Sequence, residues 1–327
     1  MEIINIAIAG TGRIARDFLT ACTETGIRAS TIWSPEATGV QAKKLSVEFD
    51  LEKYYTDERK LLTDGEINTV YFPVSGEQYF KLAKEVLCAG KNILIDADFT
   101  VSREEILELL ALAEASKSYL FELITYQQAE TWEILKRSIT KLGQIRLVQV
   151  STSLLSSWLA ESHYQEGAVE PVEHMDLIKL NLRNLTFLSG LFGQPESIEY
   201  FANKQMGIDT SGVMVLKFPG FIATAAASRD SLGLNSFIIQ GSHGFIRSPE
   251  NPYSFHAFDL VMLDGTEHVE AVNPGSDSLY SELRLFRRML LEKDYRLMEE
   301  RMGQKLDVLE ILEIARQKEG FSRMDPL

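Results

Sequence analysis

The first sixteen residues constrain the fold of this chain more than any other segment. Residues 3–9 form a nearly unbroken apolar run, which is typical of a strand that is buried on both faces. The sequence GTGRIA follows directly at residues 10–15, and a helical pattern begins within it. A strand, a glycine turn and a helix start in this order predict a dinucleotide-binding fold.

The residue types in this turn match what a bound diphosphate requires. Gly10 can make the tight turn, and Gly12 lets the backbone approach the phosphates. Ala15 stands in the place of a third glycine and keeps the helix close to the strand. The free amides and the positive dipole end of the helix would then face the phosphates.

Length and charge limit the class of protein. The chain has 327 residues, enough for two domains, and its formal net charge of −14 argues against nucleic acid or an anionic membrane as a partner. No apolar run approaches the roughly 20 residues that span a bilayer, and the N-terminus has no signal-peptide pattern. Cys22 and Cys88 fit small buried positions in a reducing compartment. We expect a cytoplasmic protein with a small-molecule substrate and no metal site.

The order of predicted elements divides the chain into two domains. Strands and helices alternate through residues 1–123, which predicts an α/β domain with a doubly wound parallel sheet of the Rossmann type. Closely spaced strands dominate residues 124–327, which predicts an α+β domain with a large, open, mostly antiparallel sheet. The open face favours a homodimer or homotetramer formed through this sheet. The terminal helices, predicted at 278–292 and 304–318, can pack back on the first domain.

Further segments occur in a characteristic order along the chain. The run AGKNILID occupies residues 89–96, Phe121-Glu122 ends the last strand of the first domain, and the second domain carries LFGQP at 191–195 and GSHG at 241–244. With the glycine turn, they resemble the glucose-fructose oxidoreductase / inositol dehydrogenase (Gfo/Idh/MocA) family over nearly the whole chain. The resemblance implies an NAD(P)-dependent oxidoreductase that acts on a sugar, a polyol or a small carbonyl compound.

The ends of the predicted strands supply the candidate cofactor-binding residues. Ser34 stands where NAD-specific folds carry an acidic residue for the ribose hydroxyls. Ser34 tolerates a 2′-phosphate, and Arg13 can serve either the diphosphate or a 2′-phosphate, so NAD and NADP are not distinguished. The candidates are Gly10, Thr11, Gly12, Arg13, Ile14, Ser34, Val74, Ser75, Asp96 and Ala97.

The strand ends depart from the family pattern in two places. The family typically carries Glu-Lys-Pro after the fifth strand, where the lysine hydrogen-bonds the reacting hydroxyl. Here the same place reads Asp96-Ala97-Asp98, and a methyl group cannot donate that hydrogen bond. After the fourth strand the family usually has Thr-Pro-Asn-x-x-His, whereas residues 74–79 read VSGEQY.

The helix predicted at 175–191 also departs from the family, which has an Asp, a Gly two residues later and a proton-transferring His or Tyr at the fourth. Counting back from Gly193 without gaps puts Lys179, Asn181 and Arg183 at these positions. Aligning Asp176 with the family carboxylate instead requires a three-residue insertion and puts Leu180 in place of the His or Tyr. The usual proton-transfer residue is missing in both alignments.

Three interpretations remain open. The first is an oxidoreductase with a rearranged site, in which Asp96 and Asp98 can face Lys179 and Arg183 and bind a charged substrate. The second is a catalytically silent sensor that binds NAD(P) or a sugar. The third is a structural subunit that pairs with an active paralogue. The candidate catalytic residues are His174, Asp176, Lys179 and Arg183, with His163 and Tyr164 as further candidates in the polar loop before them.

Overall fold

The structure is a computed structural model of the chain. It describes residues 4–25, 27–73, 76–96, 99, 102–124, 127, 130–155, 177–205, 208–270 and 278–318. The chain divides into two compact units: unit 1 holds residues 1–125 and 275–306, and unit 2 holds residues 126–274 and 307–325. Unit 1 therefore includes a segment near the C-terminus in addition to the first 125 residues.

Unit 1 contains a six-stranded, entirely parallel sheet. Its strands are β1 (Asn5–Ala9), β2 (Arg28–Trp33), β3 (Lys53–Tyr55), β4 (Thr69–Phe72), β5 (Asn92–Asp96) and β6 (Leu120–Leu123). The strand order is β3-β2-β1-β4-β5-β6, which confirms the predicted doubly wound Rossmann architecture. The order reverses between β1 and β4, and sheets of this kind bind ligands beyond the carboxyl ends of the strands at that point.

Helices connect these strands and cover both sheets. In chain order they are α1 (Arg13–Thr25), α2 (Gly39–Glu48), α3 (Glu58–Thr63), α4 (Glu77–Cys88), α5 (Arg103–Ser116), α6 (Glu130–Ile139), α7 (Ile178–Phe192), α8 (Ser278–Glu292) and α9 (Tyr295–Lys318). A capping box begins α5, because the Ser102 hydroxyl accepts from the Glu105 amide and the Glu105 carboxylate accepts from the Ser102 amide.

Helix α9 begins nine residues before the predicted start at 304. The carboxylate of Asp294 accepts a hydrogen bond from the Leu297 amide at 3.2 Å and so caps the helix there. Gly303 then lies inside the helix, where tertiary packing outweighs its poor helix propensity. None of the helices in the described residues has the length and the apolar composition needed to cross a bilayer.

Unit 2 contains an eight-stranded sheet. Its strands are β7 (Ile145–Ser153), β8 (Ser197–Gln205), β9 (Ile208–Phe218), β10 (Phe221–Ser228), β11 (Ser236–Gly241), β12 (Gly244–Ser248), β13 (Ala257–Met262) and β14 (Gly265–Glu270). The order is β14-β13-β12-β11-β7-β10-β9-β8, and all neighbours are antiparallel except β7 and β10. The predicted large, mostly antiparallel sheet is therefore confirmed.

One face of this sheet packs against α7. Asn184 of α7 donates to the carbonyl oxygen of Ala226 at 3.0 Å and accepts from the Thr152 hydroxyl at 2.7 Å. The residues of β10 that point to α7 are buried alanines, which lets the helix approach closely. The opposite face exposes large apolar side chains, with Phe201 62% and Ile222 47% exposed.

The two cysteines differ in burial. Cys22 of α1 is buried, and burial raises the pKa of its thiol to about 12. Cys88 is exposed, so the expectation that both are buried is wrong for Cys88. It is the last residue of α4, where the chain turns away from the core.

Candidate functional site

The glycine turn after β1 leaves space beside its backbone. Gly10 has a φ of +140°, a conformation that glycine adopts without strain. Its amide donates to the carbonyl oxygen of Trp33 at 2.9 Å, which ties the turn to the end of β2. A Cβ added at Gly12 would meet no atom within 4 Å. The space beside Gly12 is therefore open at the start of α1, where the first amides lack intrahelical acceptors and an anion can bind.

The other candidates in the turn lie at or near the surface. Thr11 and Ile14 are partly exposed. The Arg13 side chain is 84% exposed and forms an ion pair of 3.3 Å with Asp17, one turn later in α1. Such an exposed pair is weak, so the Arg13 guanidinium can move toward a phosphate at little cost.

Ser34 follows β2 as predicted, but it is completely buried. Its amide donates to the Tyr55 carbonyl oxygen at 3.1 Å, and its hydroxyl donates to the carbonyl oxygen of Pro35 at 3.3 Å. Both donors of Ser34 are therefore used within the protein, and its hydroxyl is not exposed.

Trp33, the last residue of β2, is a site residue that the sequence did not suggest. Its side chain is 5% exposed, and the ring of Tyr79 from α4 contacts it edge to face, with centroids 6.3 Å apart. The indole Nε1–H is buried and has no acceptor among the described residues. A tryptophan at the end of the second strand, next to the glycine turn, was the signal that could have pointed to it.

At the end of β5, the carboxylate of Asp96 accepts a hydrogen bond from the Tyr71 hydroxyl at 3.1 Å. Tyr71 is itself held by stacking on Phe18 of α1, with ring centroids 3.9 Å apart. The candidates Val74, Ser75 and Ala97 lie outside the described residues.

Two buried ion pairs lie beside β6 in unit 1. Glu122 and Lys305 are 2.9 Å apart, with 2% and 1% of their side chains exposed, and Glu282 and Arg301 are 3.1 Å apart, with 0% and 7% exposed. Burial raises the pKa of Glu122, and Lys305 opposes the rise. Burial also raises the pKa of Glu282, to about 7, in spite of Arg301. These groups are enclosed, so they hold α8 and α9 to the sheet edge rather than contact a ligand.

On α7, Arg183 stacks its guanidinium over the ring of Tyr253, 4.7 Å from the centroid, and is partly exposed. Asn181 and Leu180 are buried, and Leu180 packs with Leu177 and Ala227 in the core of unit 2. Among the catalytic candidates whose side chains the structure describes, Arg183 is therefore partly exposed to solvent.

The remaining candidates are less completely described. Lys179 is the second residue of α7, whereas His174 and Asp176, like His163 and Tyr164, lie outside the described residues. Within the described ranges, no three His, Cys, Asp or Glu side chains are grouped so that they could hold a metal ion.

Comparisons with known proteins agree with this fold. Residues 4–122 match the family model described as an oxidoreductase family with an NAD-binding Rossmann fold, GFO_IDH_MocA. The chain is 22% identical to the scyllo-inositol 2-dehydrogenase (NADP(+)) IolU of Bacillus subtilis, over 98% of each chain. It is 23% identical to the oxidoreductase YgjR of Escherichia coli, over 74% of this chain and 75% of that protein.

Solved structures share the whole architecture. The 3-ketoreductase KijD10 of Actinomadura kijaniata, solved with TDP-benzene and NADP, gives a TM-score of 0.81 at 17% identity, over 96% of this chain and 97% of that chain. Biliverdin reductase from Synechocystis, solved with biliverdin and NADP+, gives 0.71 at 14% identity, over 96% and 98%. With the parallel sheet and the open glycine turn, the comparisons show that residues 4–122 form an NAD(P)-binding Rossmann domain of the type found in the Gfo/Idh/MocA oxidoreductase family.

Proposed function

We propose that this protein is a cytoplasmic NAD(P)-dependent oxidoreductase that interconverts an alcohol and a carbonyl group on a sugar, a polyol or a small carbonyl compound. The observation that carries the proposal is the open space at Gly12, beside the start of α1 and at the point where the strand order reverses. A scyllo-inositol 2-dehydrogenase and a 3-ketoreductase among the similar proteins support the substrate class.

The residues present fit a dinucleotide. A Cβ at Gly12 would occupy the space that a diphosphate needs, and the buried indole N–H of Trp33 lacks an acceptor among the described residues. The bound nicotinamide would supply the hydride chemistry. The backbone of the turn holds the diphosphate, and Arg13 reaches its negative charge from the surface of α1.

The position of Arg183 favours the ungapped alignment of α7. Leu180 is 3% exposed and belongs to the core, so it is poorly placed to meet a substrate, whereas Arg183 is partly exposed. Its guanidinium remains charged at all physiological pH values and cannot exchange a proton. In this proposal Arg183 binds an anionic group of the substrate or stabilises negative charge on the reacting oxygen.

The proton of the reaction then requires another group. His174, Asp176 and Lys179 have side chains that can exchange a proton, and all three precede Arg183 at the start of α7 or before it. Asp96, held by the Tyr71 hydroxyl at the end of β5, contributes a negative charge to the cofactor side of the site.

A second candidate function is a catalytically silent NAD(P)- or sugar-binding sensor. Two substitutions favour it: alanine at position 97, where the family lysine stands, and a cation that cannot exchange a proton at position 183. Either function is compatible with a homodimer or homotetramer, in which the exposed Phe201 and Ile222 of the open sheet face would be covered by a second copy.

The test is calorimetric titration with NADH and NADPH, followed by a screen of carbonyl compounds that monitors oxidation of the reduced nicotinamide. Micromolar binding with turnover of at least one carbonyl compound is the expected result. Binding without any turnover would favour the sensor, and failure of both nucleotides to bind would contradict both functions.

A further inference from the structure

We propose that the indole N–H of Trp33 donates a hydrogen bond to the adenosine half of the bound nucleotide. The inference rests on the proposed function, since it assigns a contact within the same site. The Rossmann fold does not require a tryptophan at this position, because many residue types can end the second strand.

Trp33 lies at the carboxyl end of β2, beside the glycine turn. Its backbone pairs with Ala9, the last residue of β1, and its carbonyl oxygen accepts from the Gly10 amide at 2.9 Å. Its ring contacts Tyr79 in the first turn of α4, the helix that follows β4. The side chain therefore connects elements from both sides of the point where the strand order reverses.

The indole N–H is a buried donor without an acceptor among the described residues. Buried tryptophan N–H groups nearly always find a partner, because an unmade hydrogen bond carries the full desolvation penalty of the donor. The Tyr79 ring packs against the indole, with the centroids 6.3 Å apart, but no atom of Tyr79 accepts a hydrogen bond from the N–H. An acceptor atom of a bound ligand would relieve the penalty of the unpaired N–H.

Other buried polar atoms without partners lie elsewhere in the sheet. Asn5 Oδ1 is at the amino end of β1, and Ser118 Oγ lies just before the amino end of β6. Parallel sheets of this type bind ligands at the carboxyl ends of their strands. Of these three groups, Trp33 alone lies at the carboxyl end of a strand.

The position of Trp33 also indicates which half of the nucleotide it contacts. The residue after the second strand approaches the ribose of the adenosine in this fold, and here that residue is Ser34, which follows Trp33 directly. An indole offers only a donor, so its partner must be an acceptor, such as a ring nitrogen of adenine or a ribose oxygen.

The experiment compares wild type with Trp33→Phe, which keeps an aromatic ring but removes the donor. Calorimetry with ADP and with the tighter of NADH and NADPH measures the adenosine contact, and nicotinamide mononucleotide serves as a probe without adenosine. We expect the affinities for ADP and for the dinucleotide to fall together by about tenfold, the effect of one hydrogen bond to a buried donor. Binding of the mononucleotide should not change.

Trp132→Phe is the matched control. Trp132 is also buried, at 3% exposed, but it packs against Phe187 in unit 2. We expect this variant to bind ADP as the wild type does. Thermal unfolding of all three proteins verifies that they are folded before titration.

A measurement on the wild type keeps the test independent of the folding of either variant. The chain has three tryptophans, and addition of ADP should shift one indole N–H resonance strongly downfield. The inference is overturned if wild type binds ADP and none of these resonances moves, or if Trp33→Phe binds ADP with unchanged affinity; the proposed function then still stands. If wild type binds neither ADP nor either dinucleotide, both proposals fail.

Discussion

The glycine turn and the outer strand of the unit 1 sheet use polar groups in opposite ways. In the turn, a Cβ at Gly12 would enter open space, and the Arg13 side chain is 84% exposed. Beside β6, Glu122 and Lys305 are almost completely enclosed and satisfy each other. We therefore expect a substitution in the turn to alter ligand binding and preserve stability. A substitution beside β6 should lower stability and leave the binding contacts intact.

The largest effect is expected for Lys305→Met. The substitution leaves the Glu122 carboxylate buried without its ammonium partner, which costs about 3–5 kcal/mol. Denaturant unfolding monitored by circular dichroism measures the loss. The control is Lys84→Met, because Lys84 and Glu108 form an exposed pair in the same unit, worth about 0–1 kcal/mol. Similar losses for the two variants would show that the burial of Lys305 has no energetic consequence.

The next effect concerns pH. Burial raises the folded-state pKa of Glu282 from 4.5 to about 7, so the native protein holds a proton that the unfolded chain releases. This contribution to stability is complete below about pH 4.5 and is lost as the pH rises to about 7. The shift corresponds to a few kcal/mol, on the order of 1.4 kcal/mol per pKa unit.

Glu282→Gln mimics the protonated carboxyl and removes this titration. We expect its free energy of unfolding to change less between pH 4.5 and 7 than that of wild type. Glu122, Arg301 and Lys305 surround the same region and remain in both proteins. Parallel pH profiles for the variant and wild type would contradict the assignment.

Gly12→Ala is expected to weaken nucleotide binding, by a free energy smaller than the unfolding effects of the two substitutions above. A methyl group here meets no protein atom within 4 Å, so stability should change little. The methyl group would fill the space assigned to the diphosphate and reduce nucleotide affinity by about tenfold or more. A large fall in melting temperature, or unchanged affinity, would contradict this account of the turn.

The smallest change in stability is expected for Arg13→Ala, because the pair with Asp17 is exposed and worth at most about 0.5 kcal/mol. Nucleotide affinity should fall severalfold, and comparison of NADPH with NADH sharpens the role of the residue. A fall confined to NADPH assigns Arg13 to the 2′-phosphate, and an equal fall assigns it to the diphosphate. Unchanged affinity for both would exclude it from the site.

The elements that could be predicted from the sequence are those specified by local patterns. The alternating strands and helices of residues 1–123 and the closely spaced strands that follow them could be recognised from apolar patterns, and these strands form the two predicted sheets. The glycine turn was recognisable because its residues are neighbours in sequence. The parallel pairing of β7 with β10 was not, because it joins strands with two others between them in the chain.

The features that the sequence did not reveal depend on tertiary contacts. The partner of Glu122 lies 183 residues away, on a helix whose start was predicted too late. The partial exposure of Arg183 and the burial of Leu180, on which the proposed alignment of α7 rests, do not follow from spacing alone. The unsatisfied donor of Trp33 is visible only when its surroundings are known.

The most direct test of the central contrast is a thermal-shift titration of wild type and Gly12→Ala with NADH and NADPH. A ligand that binds the folded state raises the melting temperature by mass action. The account predicts equal melting temperatures without nucleotide, and a rise with nucleotide that is clearly smaller in Gly12→Ala than in wild type. Equal rises in both proteins, or no rise in wild type with either nucleotide, would contradict the claim that the glycine turn is the nucleotide site.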